Sequence, residues 1–173
     1  ECEGPASIAA ILLETIPGTA GILVPPKGYM QGVRALADEF GILVILDEVM
    51  AGFGRTGSWL ALDNFDVVPD LIVFAKGVNS GYVPAGGVMI SQPICEYFDS
   101  HFFPGGLTYS GHPLAMAAIV ATLDTMAEEG MVDNARQIGQ ELLGPGLKTL
   151  ASKYPLIGEA RGIGLFQALE FVA

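Results

Sequence analysis

Positive charge is scarce in these 173 residues: 8 Lys and Arg stand against 19 Asp and Glu, a formal net charge of −11. So few cations argue against a nucleic-acid partner, whose phosphates would have to be met by them. The acidity reads instead as a solvated surface. Cysteine is nearly absent. Cys2 and Cys95 form no spaced framework, which suits a reducing cytoplasm and makes each a small buried hydrophobe. No apolar run approaches the roughly 18 residues of a membrane span. The first residues lack the basic flank and apolar core of a targeting segment. Internal repeats and low-complexity stretches are missing too. Residue 1 is Glu rather than Met, and Leu169 to Ala173 reads as strand, so the sequence is expected to be a fragment of a longer chain.

What is present is apolar and rich in glycine, at 51 % hydrophobic residues and 23 Gly, far from a disordered composition. The stretch from Gly41 to Lys76 organises the rest. Ile42-Leu43-Val44-Ile45-Leu46 stops at Asp47-Glu48, and Leu71-Ile72-Val73-Phe74-Ala75 stops at Lys76. Continuous apolar runs bounded by Gly41 and Pro69 predict strands buried on both faces. The loop and helical piece between them allow a right-handed crossover, making the strands parallel. A carboxylate and an amine then share the carboxyl edge of one sheet, where open α/β sheets bind ligands.

Around this centre, Ile8 to Glu14 predicts another strand ending on a carboxylate. Tyr29, Val33, Leu36, Ala37 and Phe40 recur at helical spacing before Gly41. Trp59 to Phe65 reads as a short helical piece and Gly86 to Ser91 as a further strand. Pro113 opens an Ala-rich helix that Gly130 ends. Val132 to Tyr154 is helical with Gly144-Pro145 expected to kink or split it. From Ile157 onward the spacing turns to strands broken by Gly162 and Gly164.

A lysine at the end of a buried strand is costly unless paired. One reading pairs Lys76 with Asp47 or Asp70. The other uses burial to keep the amine neutral and nucleophilic, fit to form a Schiff base. With Asp47 beside a cationic ring nitrogen, that second reading describes a pyridoxal phosphate (PLP) site. Gly52-Phe53-Gly54-Arg55-Thr56-Gly57 also fits the dinucleotide pattern G-x-G-x-x-G. That pattern needs a helix opening on its last glycine and no anion at the strand end. A shaped, flexible loop is the better expectation, with Arg55 bracing it through Glu48 or another carboxylate.

Leu46-Asp47-Glu48-Val49, Gly52 to Gly57, Val68-Pro69-Asp70, Ala75-Lys76-Gly77, Gly81-Tyr82-Val83-Pro84, Leu107 to Pro113 and Arg161-Gly162-Ile163-Gly164-Leu165 together resemble the class III (subgroup II) aminotransferases, over nearly the whole chain. The resemblance implies a fold type I α/β architecture, a mostly parallel sheet with flanking helices. Residues 1–112 would be part of the large PLP-binding domain, and 113–173 a connecting helix and an incomplete small α+β C-terminal domain. It further implies that Lys76 bonds the PLP aldehyde and Asp47 pairs with the ring nitrogen. Val49 would pack on the ring, and Thr108 would donate to the phosphate held by the neighbouring subunit of a homodimer with shared sites. Glu14 would lie near the substrate end, although Thr15 stands where the family's E-P-x-x-G strand usually has proline. Met50 replaces a common glutamine and would contribute shape. His112 and Arg161 read as structural.

The implied activity is ping-pong transamination from an ω-amino acid or amine donor to an oxo acid, with pyruvate as the expected acceptor. The resemblance is greatest to the taurine and β-alanine transaminase branch. Two other chemistries share the scaffold, glutamate-1-semialdehyde aminomutase and dialkylglycine decarboxylase. A rival of another class is a non-catalytic or nucleotide-binding α/β module.

Overall fold

A computed structural model describes residues 4–173; Cys2 lies outside them. Four strands form one sheet in the order β1 (Ala10–Glu14), β2 (Leu43–Asp47), β3 (Leu71–Ala75) and β4 (Gly86–Ile90). The first three are parallel and β4 returns antiparallel. The mostly parallel α/β architecture with flanking helices is therefore the one observed.

The sheet is closed on one face by α1 (Tyr29–Phe40). Its Met30 and Ala37 pack with Val44 and Leu46 of β2, and Ile11 and Leu13 join from β1. Gly41 ends the helix in the left-handed region, its N–H reaching the carbonyls of Ala37 and Asp38. The expectation of two buried faces is corrected here. In β1 and β2 alternate residues remain accessible, Leu12 at 62 % and Leu43 at 39 %. The runs encode a covered second face, and among the described residues only part of that cover exists. It comes from α2 (Gln92–Ser100), which flanks a groove with Leu43, Leu71, Val88 and Ile90 and lies where the sequence pattern predicts no element. Cys95 lies on this helix and is exposed, not buried as expected.

The crossover from β2 to β3 holds one 3-10 turn, Ala61–Asn64, within the predicted helical piece. No helix opens on Gly57, which removes the structural requirement of the dinucleotide pattern. Instead the loop folds back on itself. Phe53 and Gly54 donate to the carbonyls of Trp59 and Ser58 at 2.7 and 3.1 Å.

Beyond the sheet run α3 (Pro113–Glu128), α4 (Met131–Ile138) and α5 (Gly144–Lys153). Gly144-Pro145 splits the last pair as expected, but by a wide π turn over Gly139–Leu143 in which the Gly144 N–H reaches the Gly139 carbonyl. That turn absorbs the N–H that Pro145 lacks without leaving the helical path. A two-stranded antiparallel sheet, β5 (Ile157–Ile163) and β6 (Phe166–Phe171), completes the chain. Phe166 enters a second core with Ile16, Ala51 and Ala61, so β6 packs against the loops that follow β1 and β2.

Candidate functional site

The parallel ladder aligns Glu14 with Asp47 and Asp47 with Val73. Lys76 follows three residues later, as the first residue of the turn that succeeds β3. A carboxylate and an amine therefore stand at one sheet edge, as the spacing predicts. Lys76 adopts φ 49°, a left-handed conformation that costs a non-glycine residue about 1 kcal/mol or more and is concentrated at functional sites.

The lysine's surroundings correct two expectations. Lys76 is exposed in this chain rather than buried. Nor does it pair with Asp70, whose carboxylate bonds Arg34 and the Val44 N–H, both at 2.7 Å. Burial alone would raise the Asp70 carboxyl, but the Val44 N–H and the Arg34 guanidinium outweigh it and hold the group below its ordinary value. Among the described residues no ion pair engages Lys76. Together with Val49 and Met50 it lines a cavity of about 760 Å³, closed further by Met126, Leu165 and Phe166.

Asp47 Oδ1 accepts the Val49 N–H at 2.8 Å, forming a tight side-chain turn. Among the described residues its other oxygen has no partner. Glu14 is engaged differently: its carboxylate accepts the Gly18 N–H at 2.9 Å, holding the Pro17-Gly18 turn. Thr108 is not brought to the Lys76 cavity. It lies on an exposed loop lining a second cavity of about 800 Å³ with Val83, Pro84 and His112. His112 caps α3, its Nδ1 accepting the Leu114 N–H at 3.2 Å. Arg161 is structural, bonded to Glu159, Glu170 and the Gly21 carbonyl.

The Gly52 to Gly57 loop is a shaped one, held by contacts at several points. Phe53 stacks edge-on against Phe74 of β3 with ring centroids 5.7 Å apart. The Arg55 carbonyl accepts the Leu165 N–H at 3.0 Å, and the Gly57 carbonyl accepts from Arg136 Nε at 2.9 Å. Arg55 does not brace it through a carboxylate: among the described residues it forms no ion pair with Glu48 or any other acidic group.

Glu48 is the residue that sequence reasoning undervalued. It is 0 % exposed and accepts three hydrogen bonds, from the Thr15 hydroxyl at 2.7 Å and from the Ala61 and Leu62 N–H groups at 2.8 Å each. Burial raises its carboxyl above the ordinary value, those three donors offset this only in part, and Asp63 adds to the rise. The available signal was strand alternation, which turns Glu48 to the face opposite Asp47. Asn79 was also missed. It is buried, and it closes the loop after Lys76 by donating to the Val83 carbonyl and accepting the Gly81 N–H.

The model of the Aminotransferase class-III family matches residues 3–173. Among similar solved structures, taurine:2-oxoglutarate aminotransferase from Bifidobacterium kashiwanohense, solved with PLP and glutamate, is 53 % identical with a TM-score of 0.96. It is matched over 99 % of this chain and 38 % of its own. An (S)-enantioselective omega-transaminase from Thermomicrobium roseum is 43 % identical at a TM-score of 0.93, over 99 % of this chain and 38 % of its own. A transaminase from the marine bacterium Virgibacillus is 40 % identical at 0.94, over 98 % and 39 %. This chain thus spans under two fifths of the structures it matches. By the family match over almost every residue and by these identities, the chain belongs to the class-III aminotransferases.

Proposed function

We propose that the protein carrying these residues transfers the amino group of an ω-amino acid or amine donor to an oxo acid, with PLP as cofactor. The observation that carries the reading is Lys76. Among the described residues this strained lysine has no ion pair, and it opens into a cavity one strand away from an Asp47 oxygen that likewise has no partner among them. These groups fit PLP: an amine for its aldehyde and a carboxylate for its ring nitrogen. Similar structures bound to PLP and to PMP, the second from Pseudomonas jessenii, support the same cofactor.

Bound there, PLP supplies an electrophilic aldehyde and a ring that accepts electrons. Lys76 Nζ would be the group that bonds the aldehyde carbon. Once free, Nζ would serve as the base that takes a proton from the donor's carbon and then as the acid that returns it. The Asp47 carboxylate keeps the ring nitrogen protonated. Val49 and Met50 shape the wall beside the ring, and Glu14 lies at the substrate end. Thr108, which lines a different cavity from Lys76 in one chain, is assigned to the phosphate of a partner subunit's site, which makes the enzyme a homodimer. Residues 1–112 belong to the PLP-binding domain, and 113–173 begin the small one.

Pyruvate is our proposed acceptor. The name of the 53 % identical neighbour makes 2-oxoglutarate the competitor to assay beside it. The decisive test is the visible spectrum of the full-length protein before and after Lys76→Ala, with borohydride reduction and peptide mapping. The expected result is a yellow band that is lost in the variant and a reduced adduct on Lys76. A folded protein that stays colourless in added PLP would sink the reading. Turnover without any oxo acid would point to a mutase, and carbon dioxide release to a decarboxylase.

A further inference from the structure

The two strand ends that carry Glu14 and Asp47 are each followed by a residue that turns inward, Thr15 and Glu48, both 0 % exposed. These inward residues cross-link the strands. The Thr15 hydroxyl donates to Glu48 Oε1 at 2.7 Å, and the Thr15 N–H donates to the Asp47 carbonyl at 3.2 Å. The Glu48 N–H donates to the Val73 carbonyl of β3 at 2.8 Å, three residues before Lys76. Its carboxylate also takes the Ala61 and Leu62 N–H groups, where the crossover loop returns. One buried side chain thereby ties together β1, β2 and the far end of the loop that lines the Lys76 cavity.

Glu48 stands between Asp47 and Val49, and a single side-chain bond closes the turn that joins those two. We infer that Thr15 and Glu48 are a positioning pair, fixing the 47–49 turn so that Asp47 and Val49 meet the cofactor ring in one geometry. The inference rests on the PLP reading above and deepens it. Every bond at the Glu48 carboxylate is donated to it, so an amide in its place sets an NH2 group against a backbone N–H. Of the three donors, only Thr15 contributes through a side chain, and so it alone depends on residue type. A proline at position 15 offers neither the hydroxyl nor the N–H.

The test uses the full-length protein with Thr15→Val, Thr15→Ser and Glu48→Gln. PLP dissociation constants and visible circular dichroism of the bound cofactor are measured beside the thermal midpoint of the apoprotein. Removing a buried, charge-assisted hydrogen bond is expected to weaken PLP binding about tenfold in Thr15→Val and at least as much in Glu48→Gln. The dichroism falls with it, while Thr15→Ser restores binding to within about twofold. If Thr15→Val does not fold, Thr15→Cys, whose S–H is a weak donor, is expected between Ser and Glu48→Gln. A merely structural pair would lower the apoprotein midpoint and leave both PLP affinity and dichroism at parental values. That result overturns the inference alone. A parent protein that takes up no PLP overturns the proposed function, and this inference with it.

Discussion

At the scale of the residue, two carboxylates near the sheet, the half-buried Asp70 and the buried Glu48, respond to pH with opposite sign. Asp70 lies below its ordinary value, held down by the Val44 N–H and Arg34 against the pull of burial. A carboxyl lowered in the folded state contributes stability above its unfolded value, and that contribution is lost as pH falls through the folded one. Glu48 is raised, so its charged form is the one burial penalises, and its share of stability declines as pH rises through the folded value. We expect Asp70→Asn to lower stability at neutral pH by about 1–3 kcal/mol. It should also flatten the acid limb of the unfolding profile below about pH 4, where the unfolded carboxyl titrates. Denaturant unfolding at a series of pH values measures both, and an unchanged acid limb would sink the assignment. Arg34 is the structural half of that pair, bonded also to Asp38 at 2.6 Å.

At the scale of the element, the loop beside Lys76 is shaped from the far end of the chain. Gly164 sits at φ 57° in the β5–β6 turn, where a Cβ would come within 2.4 Å of the Thr56 carbonyl group. A Cβ added at Gly139, in the π turn, would come just as close to the Gly164 backbone, at 2.3 Å. A Cβ against backbone at these distances cannot be relieved by a rotamer change. Gly164→Ala is therefore expected to cost about 2–3 kcal/mol, from the left-handed conformation and the clash together. A thermal melt of the full-length protein checks this, and a midpoint within a degree of the parent would refute it. Because the displaced partner is Thr56, the substitution should also disturb the cavity wall that Gly54 and Arg55 form. The sequence pattern marks Gly162 and Gly164 as interruptions of a strand, whereas the contacts explain why both are glycine: at Gly162, φ 144°, a Cβ would come within 2.1 Å of the Phe166 carbonyl oxygen.

At the scale of the whole molecule, one face of the sheet is sealed by α1 and the other is only partly covered. On the open side Leu43, Leu71, Val88 and Ile90 form, with α2, an apolar groove of about 940 Å³. Leu12 is 62 % and Val88 53 % exposed on the same side. A surface of this kind associates in water. Produced by themselves, these 173 residues are expected to self-associate, to bind a hydrophobic dye and to show no transaminase activity. Light scattering and dye fluorescence measure the first two, and Leu12→Thr with Val88→Thr should reduce both. A monodisperse monomer that binds no dye would contradict the prediction. Among the described residues no helix is long and apolar enough to cross a membrane.

Local pattern alone determined the strands, the α1 and α3 helices and the placement of Asp47 and Lys76 at one edge, because apolar runs and glycine stops act over a few residues. It also carried the family, through motifs that lie in order along the chain. It could not show that Lys76 is exposed and left-handed, or that Asp70 belongs to Arg34 and not to the lysine. Nor could it show that Arg55 leaves Glu48 to Thr15, Ala61 and Leu62. Those outcomes depend on which groups, tens of residues apart, compete for the same buried acceptors. Only the packed tertiary structure decides that competition, since a buried carboxylate takes whichever donors the fold delivers within about 3 Å.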